Sequence, residues 1–192
     1  EMVKRYIMEE SEVQELCEQL YKKHKKALDL IFKHKPDIYS DIKDMLEEII
    51  DANENLVKDH CSKTYIRFIP KTLDFFLKKG EGWTSSKRIL LFEIVNYNKE
   101  VNLVLLIGPG DSVIRESIYE RAKTNTVFNK VSAKLTKKWA SIYKIKLSSI
   151  SSLDGKSKEE IKEKLATQLD KFFNHDFKLL EESLMELNPQ KK

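Results

Sequence analysis

Two apolar runs joined by a short polar turn, and closed by a Gly-Pro-Gly triplet, constrain this chain more than any other feature. Ile89 to Tyr97 is almost continuously apolar or β-branched, Asn96 to Glu100 is a polar turn, and Val101 to Ile107 is a second apolar run. That pattern predicts an antiparallel pair buried on both faces. Gly108-Pro109-Gly110 must end the second strand, because glycine tolerates positive φ while proline fixes its own φ and donates no hydrogen bond. Asp111 or Ser112 can then cap a helix whose Val113, Ile114, Ile118 and Ala122 share one stripe. Such a turn can offer backbone N–H groups to an anion. Asp111 puts a carboxylate at the same spot, however, and no Lys-Ser or Lys-Thr pair completes a phosphate loop, so a sharp structural turn is the expectation.

At 192 residues the chain can bury an adequate core as one domain with a helical appendage. Cys17 and Cys61 stand far apart, which argues against a zinc site or disulfide framework and fits a reducing cytoplasm. Cys17 lies on an apolar helical stripe and reads as a core thiol. No apolar run reaches membrane-spanning length, so no membrane partner is expected, and the N-terminal EMVKRYIMEESE lacks a signal-peptide core. Its abrupt start suggests a piece of a longer chain with a further N-terminal domain.

Charge divides the chain. Residues 1–60 hold 10 Lys/Arg against 15 Asp/Glu, residues 61–150 hold 17 against 7, and residues 151–192 hold 8 against 9. The positive excess therefore sits in the middle, where phosphate backbones would be drawn.

Ahead of the central pair, Ser11 with Gln14 resembles a capping box, and Val13, Leu16, Cys17, Leu20, Tyr21, Leu28, Ile31 and Phe32 mark a helical stripe as far as Lys35-Pro36. A second helix from Ile38 to Ala52 would bury Ile42, Met45, Leu46, Ile49 and Ile50, completing a helical hairpin. The cluster Lys22, Lys23, Lys25 and Lys26 beside His24 reads as a solvated face. Lys63 to Ile69 alternates and ends at Pro70, as a strand would.

Beyond the pair, Thr126 to Lys138 reads as a helix with Val127, Val131 and Leu135 inward and Lys130, Lys134, Lys137 and Lys138 on the other side, a row suited to phosphate contact. Trp139 to Leu147 alternates as a half-buried strand that adds Lys144 and Lys146. Ser157 with Glu160 forms a second capping box for one long final helix, striped by Ile161, Leu165, Leu169, Phe172, Phe173, Phe177, Leu180, Leu184 and Leu187. The expected fold is α+β: a mainly antiparallel four-stranded sheet over 61–150, a helical hairpin over 1–60 packed on it, and a long C-terminal helix with a frayed tail over 151–192.

Trp83, the strand Leu90 to Ile94 (LLFEI), the strand ending Ile107 to Gly110 (IGPG) and Ile114-Arg115 together resemble the C-terminal half of bacterial PD-(D/E)XK nuclease-superfamily proteins. Leu16 to Leu28 (LCEQLYKKHKKAL) is similar to the helix that precedes that half. The resemblance spans about Glu12 to Ser149 and implies an upstream catalytic core and a role in DNA processing or defence against foreign DNA.

The catalytic pattern itself is missing. It needs an acidic residue on one strand and an acidic-x-Lys triplet on the next, to hold a divalent metal and position water. Pro36-Asp37 with Asp41-Ile42-Lys43 has the letters but sits around a helix start, and Glu160-Ile161-Lys162 is better explained by capping. Glu93 has Val95 where the lysine should be, and it reads as a buried structural carboxylate with Arg115 as candidate partner. His24, His34, His60 and His175 are dispersed. No metal ligand and no cofactor is assigned; Mg2+ would belong to an absent nuclease core.

The leading expectation is a non-catalytic accessory domain of a nuclease-like protein, with Lys130, Lys134, Lys137, Lys138, Lys144 and Lys146 contacting DNA or orienting an N-terminal catalytic domain. One alternative is a protein-interaction or homo-oligomerisation module. The other is a metal-dependent nuclease whose carboxylates, Glu93 with Glu120 or Asp111, converge only in the fold.

Overall fold

The computed structural model describes residues 10–33 and 37–188. The chain forms two compact units, residues 1–37 and 38–192. In the first, α1 runs from Glu10 to Lys33 and departs from helical geometry at His24 (φ −118°, ψ 23°). Tyr21 and Lys25 both hydrogen-bond to Asp29, at 2.8 and 2.7 Å, bracketing that kink. Ser11 falls within α1 rather than ahead of it, and His34, Lys35 and Pro36, where the helix was expected to end, lie outside the described residues. Cys17 is exposed, so the expected core thiol is not one.

The second unit is an α+β fold. Its elements are α2 (Ile38–Asp51), β1 (Leu56–Lys58), β2 (Tyr65–Pro70), β3 (Leu90–Tyr97), β4 (Glu100–Ile107), α3 (Ser112–Thr124), β5 (Ala140–Ser149), α4 (Lys158–Asn174) and α5 (Asp176–Met185). The strands form one antiparallel meander in the order β1-β2-β3-β4-β5. The sheet thus has five strands, not four, because the three residues Leu56 to Lys58 pair with β2.

Alternation along each strand gives the two faces opposite chemistry. Phe68, Phe92, Leu105 and Tyr143 are successive cross-strand partners, and all four are buried. Phe92 and Tyr143 meet Phe172 of α4 at ring-centroid distances of 5.5 and 5.8 Å, and Phe177 of α5 lies 6.1 Å from Phe92. Ile42, Leu46 and Ile50 of α2 join this core. The next row, Arg67, Glu93, Val104 and Lys144, belongs to the opposite face.

The expected single final helix is two helices. It breaks at His175 (φ −122°, ψ −82°), and Asp176 at the start of α5 accepts the Tyr143 hydroxyl, so the turn is pinned to the sheet. The Ser157/Glu160 capping box of α4 is formed, with both reciprocal hydrogen bonds present at 2.8 and 3.2 Å.

Candidate nucleic-acid interface

Two long connections frame the face that carries Glu93. In the first, from β2 to β3, Arg88 forks onto both oxygens of Asp74 at 2.7 Å and reaches Asp59 at 2.8 Å. Burial raises the Asp59 carboxyl, but hydrogen bonds from Ser86, the His60 amide and Arg88 outweigh it, and the group ends below its ordinary range. Arg88 holds Asp74 low as well. This clamp fixes a connection that also carries Trp83.

Trp83 lies directly over Gly108. A methyl group at Gly108 would come within 2.0 Å of Trp83 Cε3, and one at Gly110 within 2.4 Å of the Lys79 carbonyl oxygen. The amides of Gly108 and Asp111 are donated to the carbonyls of Ile89 and Lys79, at 2.6 and 3.2 Å. The Gly-Pro-Gly turn is therefore a close-packed structural turn, with the amides of Gly108 and of the following Asp111 engaged within the fold. Asp111 caps α3 by accepting from the Ile114 amide at 3.1 Å, and this bond holds its carboxyl low.

In the second connection, residues 125–139, the helix expected from Thr126 to Lys138 is not formed. Its polar side chains bind backbone instead: Asn125 accepts from Val127 N at 3.1 Å, Asn129 from Lys144 N at 2.9 Å, and Ser132 from Ser141 N at 3.0 Å. Side-chain oxygens of this kind compete with helical hydrogen bonds. Backbone bonds from Lys130 to Ile142 and from Ser132 to Ser141 add an irregular pairing along β5. Phe128 is buried, and Val127, Val131 and Leu135 pack against the core from this loop rather than from a helix.

Arg115 holds the end of the same loop. Its guanidinium donates to the carbonyls of Gly108, Thr136 and Lys138 at 2.7, 2.5 and 2.8 Å. The partner expected for it, Glu93, is paired with Arg67 at 2.6 Å. This is a correction: Glu93 and Arg67 are direct cross-strand partners on β3 and β2, whereas Arg115 serves the β4–α3 turn and the loop before β5.

Arg67, Glu93, Tyr65, Leu106, Trp83 and Trp139 line a cavity of about 330 Å³. The Arg67 guanidinium lies 5.1 Å from the Tyr65 ring centroid and 5.8 Å from that of Trp83. Glu93 is only 5 % exposed. Burial pushes its carboxyl above the ordinary range, and the opposing pull of Arg67 does not bring it back. Tyr65 and Trp139 are 39 and 48 % exposed, so the cavity opens to solvent between aromatic walls.

Lys130, Lys134, Lys137, Lys138, Lys144 and Lys146 are all exposed. They do not form the regular helical row expected: the first four are spread along the loop, and the last two stand on β5. Lys144 shares the transverse row of Glu93, while Lys146 pairs with Glu100 at 2.7 Å. Sequence reasoning missed Tyr65, Arg67 and Trp139 as parts of a site. The available signal was the alternation that sets Tyr65 and Arg67 on one side of β2, with an acidic residue in the facing strand.

The other carboxylates considered do not converge. Glu120 pairs with Lys123, Asp41 with Lys158, and Asp111 caps α3. Pro36, the companion of Asp37 in one candidate motif, lies outside the described residues. Among the described residues, no group of three His, Cys, Asp or Glu side chains could hold a metal ion, and no helix is long and apolar enough to cross a membrane.

No family model, curated protein or solved structure matches the chain.

Proposed function

We propose that this chain is a non-catalytic nucleic-acid-contacting module, the accessory part of a nuclease-like protein implied by the resemblance above. The observation that carries the reading is Lys144, exposed in the transverse row of Arg67 and Glu93 and tied through its own amide to the lysine-bearing loop. Lys144 shares the row of the cavity residue Glu93, and Lys137 and Lys138 directly precede its wall Trp139, a combination by which proteins track a phosphate backbone while offering π faces to bases. The test is binding of labelled single- and double-stranded DNA across a salt series, with a variant carrying Lys130, Lys134, Lys137 and Lys138 all as Glu. Salt-sensitive binding lost in that variant supports the proposal; no binding at low salt overturns it.

One observation favours a second reading, self-association through α1. Leu16, Leu20, Leu30, Ile31 and Phe32 are exposed along it. Its first half carries Glu12, Glu15 and Glu18 and its second half Lys22, Lys23, Lys25 and Lys26, so two copies are complementary in charge when antiparallel. Sedimentation of the wild type against Leu16→Glu/Leu20→Glu tests this reading, and a monomer in both rejects it.

A further inference from the structure

Contact with phosphates accounts for the lysines but not for a cavity walled by three aromatic rings with a buried ion pair in its lining. We propose that this cavity takes one unpaired guanine base of a single-stranded nucleic acid, an assignment that rests on the phosphate-contacting reading of the same face.

The walls call for a flat ligand. Tyr65, Trp83 and the half-exposed Trp139 wall a space of about 330 Å³, with Trp139 the ring that Arg67 leaves uncovered, at the small end of ligand pockets, which run from roughly 300 to 1,000 Å³. Aromatic walls also suit quaternary ammonium groups. Here Arg67 already occupies the faces of Tyr65 and Trp83, and Lys144 follows in the same row, so a cationic ligand meets like charge. A neutral heterocycle does not.

The polar lining narrows the choice of base. Arg67 Nε donates to Glu93 Oε2 and Nη1 to the His60 carbonyl at 3.4 Å, and the remaining guanidinium N–H groups are donors beside the carboxylate acceptors. A carboxylate has about four lone-pair sites, so one bond from arginine does not saturate it. Guanine carries O6, N1–H and N2–H in sequence along one edge, an acceptor followed by two donors, which complements an arginine next to a carboxylate. Adenine and cytosine place an acceptor beside a single amino donor, and uracil and thymine flank one N–H with two carbonyls, so each meets the carboxylate with one donor where guanine brings two. A base within a duplex stack cannot enter such a cavity, so the strand must be single. Lys144 stands two strands from Glu93, about 10 Å at ordinary strand spacing, placed for the backbone phosphate of the inserted nucleotide.

The experiment is fluorescence anisotropy at low and moderate salt with labelled ten-residue oligothymidine and oligouridine strands carrying a single central G, A, C or pyrimidine. The proteins are the wild type, Glu93→Gln and Trp139→Ala. A central guanine is expected to tighten binding by about tenfold, within the range a good bidentate base contact supplies. Glu93→Gln should abolish that preference, and Trp139→Ala should weaken the guanine strand by a similar factor. If Glu93→Gln does not fold, Trp139→Ala, altered at a half-exposed position, carries the test alone. A guanine preference in either sugar series supports the site, and the tighter series identifies the source as DNA or RNA. Salt-sensitive binding with equal affinity for all central bases overturns the pocket while leaving the phosphate-contacting reading intact; no binding of any strand overturns both.

Discussion

Arg67 and Glu93 face each other directly across β2 and β3, with Nε donating to Oε2 at 2.6 Å on a row that ends in an exposed lysine. Both side chains are close to fully buried, at 12 and 7 % exposure, so neither ion is well solvated without the other. Arg67→Met is expected to destabilise the protein by about 3–5 kcal/mol at neutral pH, because it leaves a buried carboxylate unpaired. Arg67→Met/Glu93→Leu should recover most of that loss. Glu93 already titrates above its ordinary 4.5. Between 4.5 and the raised value the carboxyl ionises only in the unfolded chain, so the cost is absent below 4.5, grows as pH rises to the raised value and is constant above it. Arg67→Met removes the opposing pull and should widen that window upward. Urea midpoints from pH 4 to 8 measure both effects, and a variant as stable as the wild type throughout would dismiss the pair as a stability determinant.

The Arg88 clamp has the opposite pH signature. Asp74 is held below 3.8 chiefly by Arg88, and Asp59 is low despite its burial. Their stabilisation is present above 3.8 and is lost as pH falls through the lowered values. Arg88→Met, which strands a carboxylate whose side chain is 2 % exposed, should cost about 3–5 kcal/mol at pH 7. The difference from the wild type should narrow below pH 3.8. Chemical denaturation at pH 7 and pH 3 checks this, and a pH-independent difference would show that the clamp acts through packing alone.

What the sequence disclosed, and what it did not, follows from where each signal resides. The strands from Ile89 to Ile107 and the caps at Asp111 and Ser157 depend on residues within a few positions of one another, and all were legible. The β1 strand is three residues long at a sheet edge, too short for alternation to register. Thr126 to Lys138 carries apolar residues at helical spacing, but Asn125, Asn129 and Ser132 spend their oxygens on backbone, and β5 offers the loop an edge. Periodicity alone cannot weigh that competition. Arg67 was missed as the partner of Glu93 because the pairing spans 26 residues and depends on the register of β2 and β3, which a long connection rather than a short turn joins.

The β3–β4 hairpin turn supplies a simple test of local strain. Tyr97 pairs with Glu100, and the two residues between them, Asn98 and Lys99, have φ of 51° and 64°. Positive φ at both central positions is the type I′ requirement, which Asn-Gly satisfies best. Lys99→Gly should therefore stabilise the protein by up to about 1 kcal/mol, since a side chain in the left-handed region costs roughly that or more. The gain should appear as a higher urea midpoint with an unchanged slope. A loss of stability would mean that the Lys99 side chain contributes more than its backbone strain removes.

Gly108→Ala should be among the most disruptive single-methyl changes available on this face. The added carbon would sit 2.0 Å from Trp83 Cε3, closer than any non-bonded contact allows, and Gly108 itself is held by its amide to Ile89 O and by its carbonyl to Arg115. The ring must therefore move, because the backbone cannot without breaking those bonds. Overpacking of this kind costs about 1–3 kcal/mol. Displacing Trp83 also removes one aromatic wall of the cavity and one of the two rings that flank Arg67. The expected readouts are a shift in tryptophan emission and near-ultraviolet circular dichroism, with far-ultraviolet dichroism retained. Trp83→Ala/Gly108→Ala, in which the clash is gone, should be no less stable than Trp83→Ala alone. If Gly108→Ala instead leaves emission and stability unchanged, Trp83 is not seated over the turn, and the cavity lacks that wall.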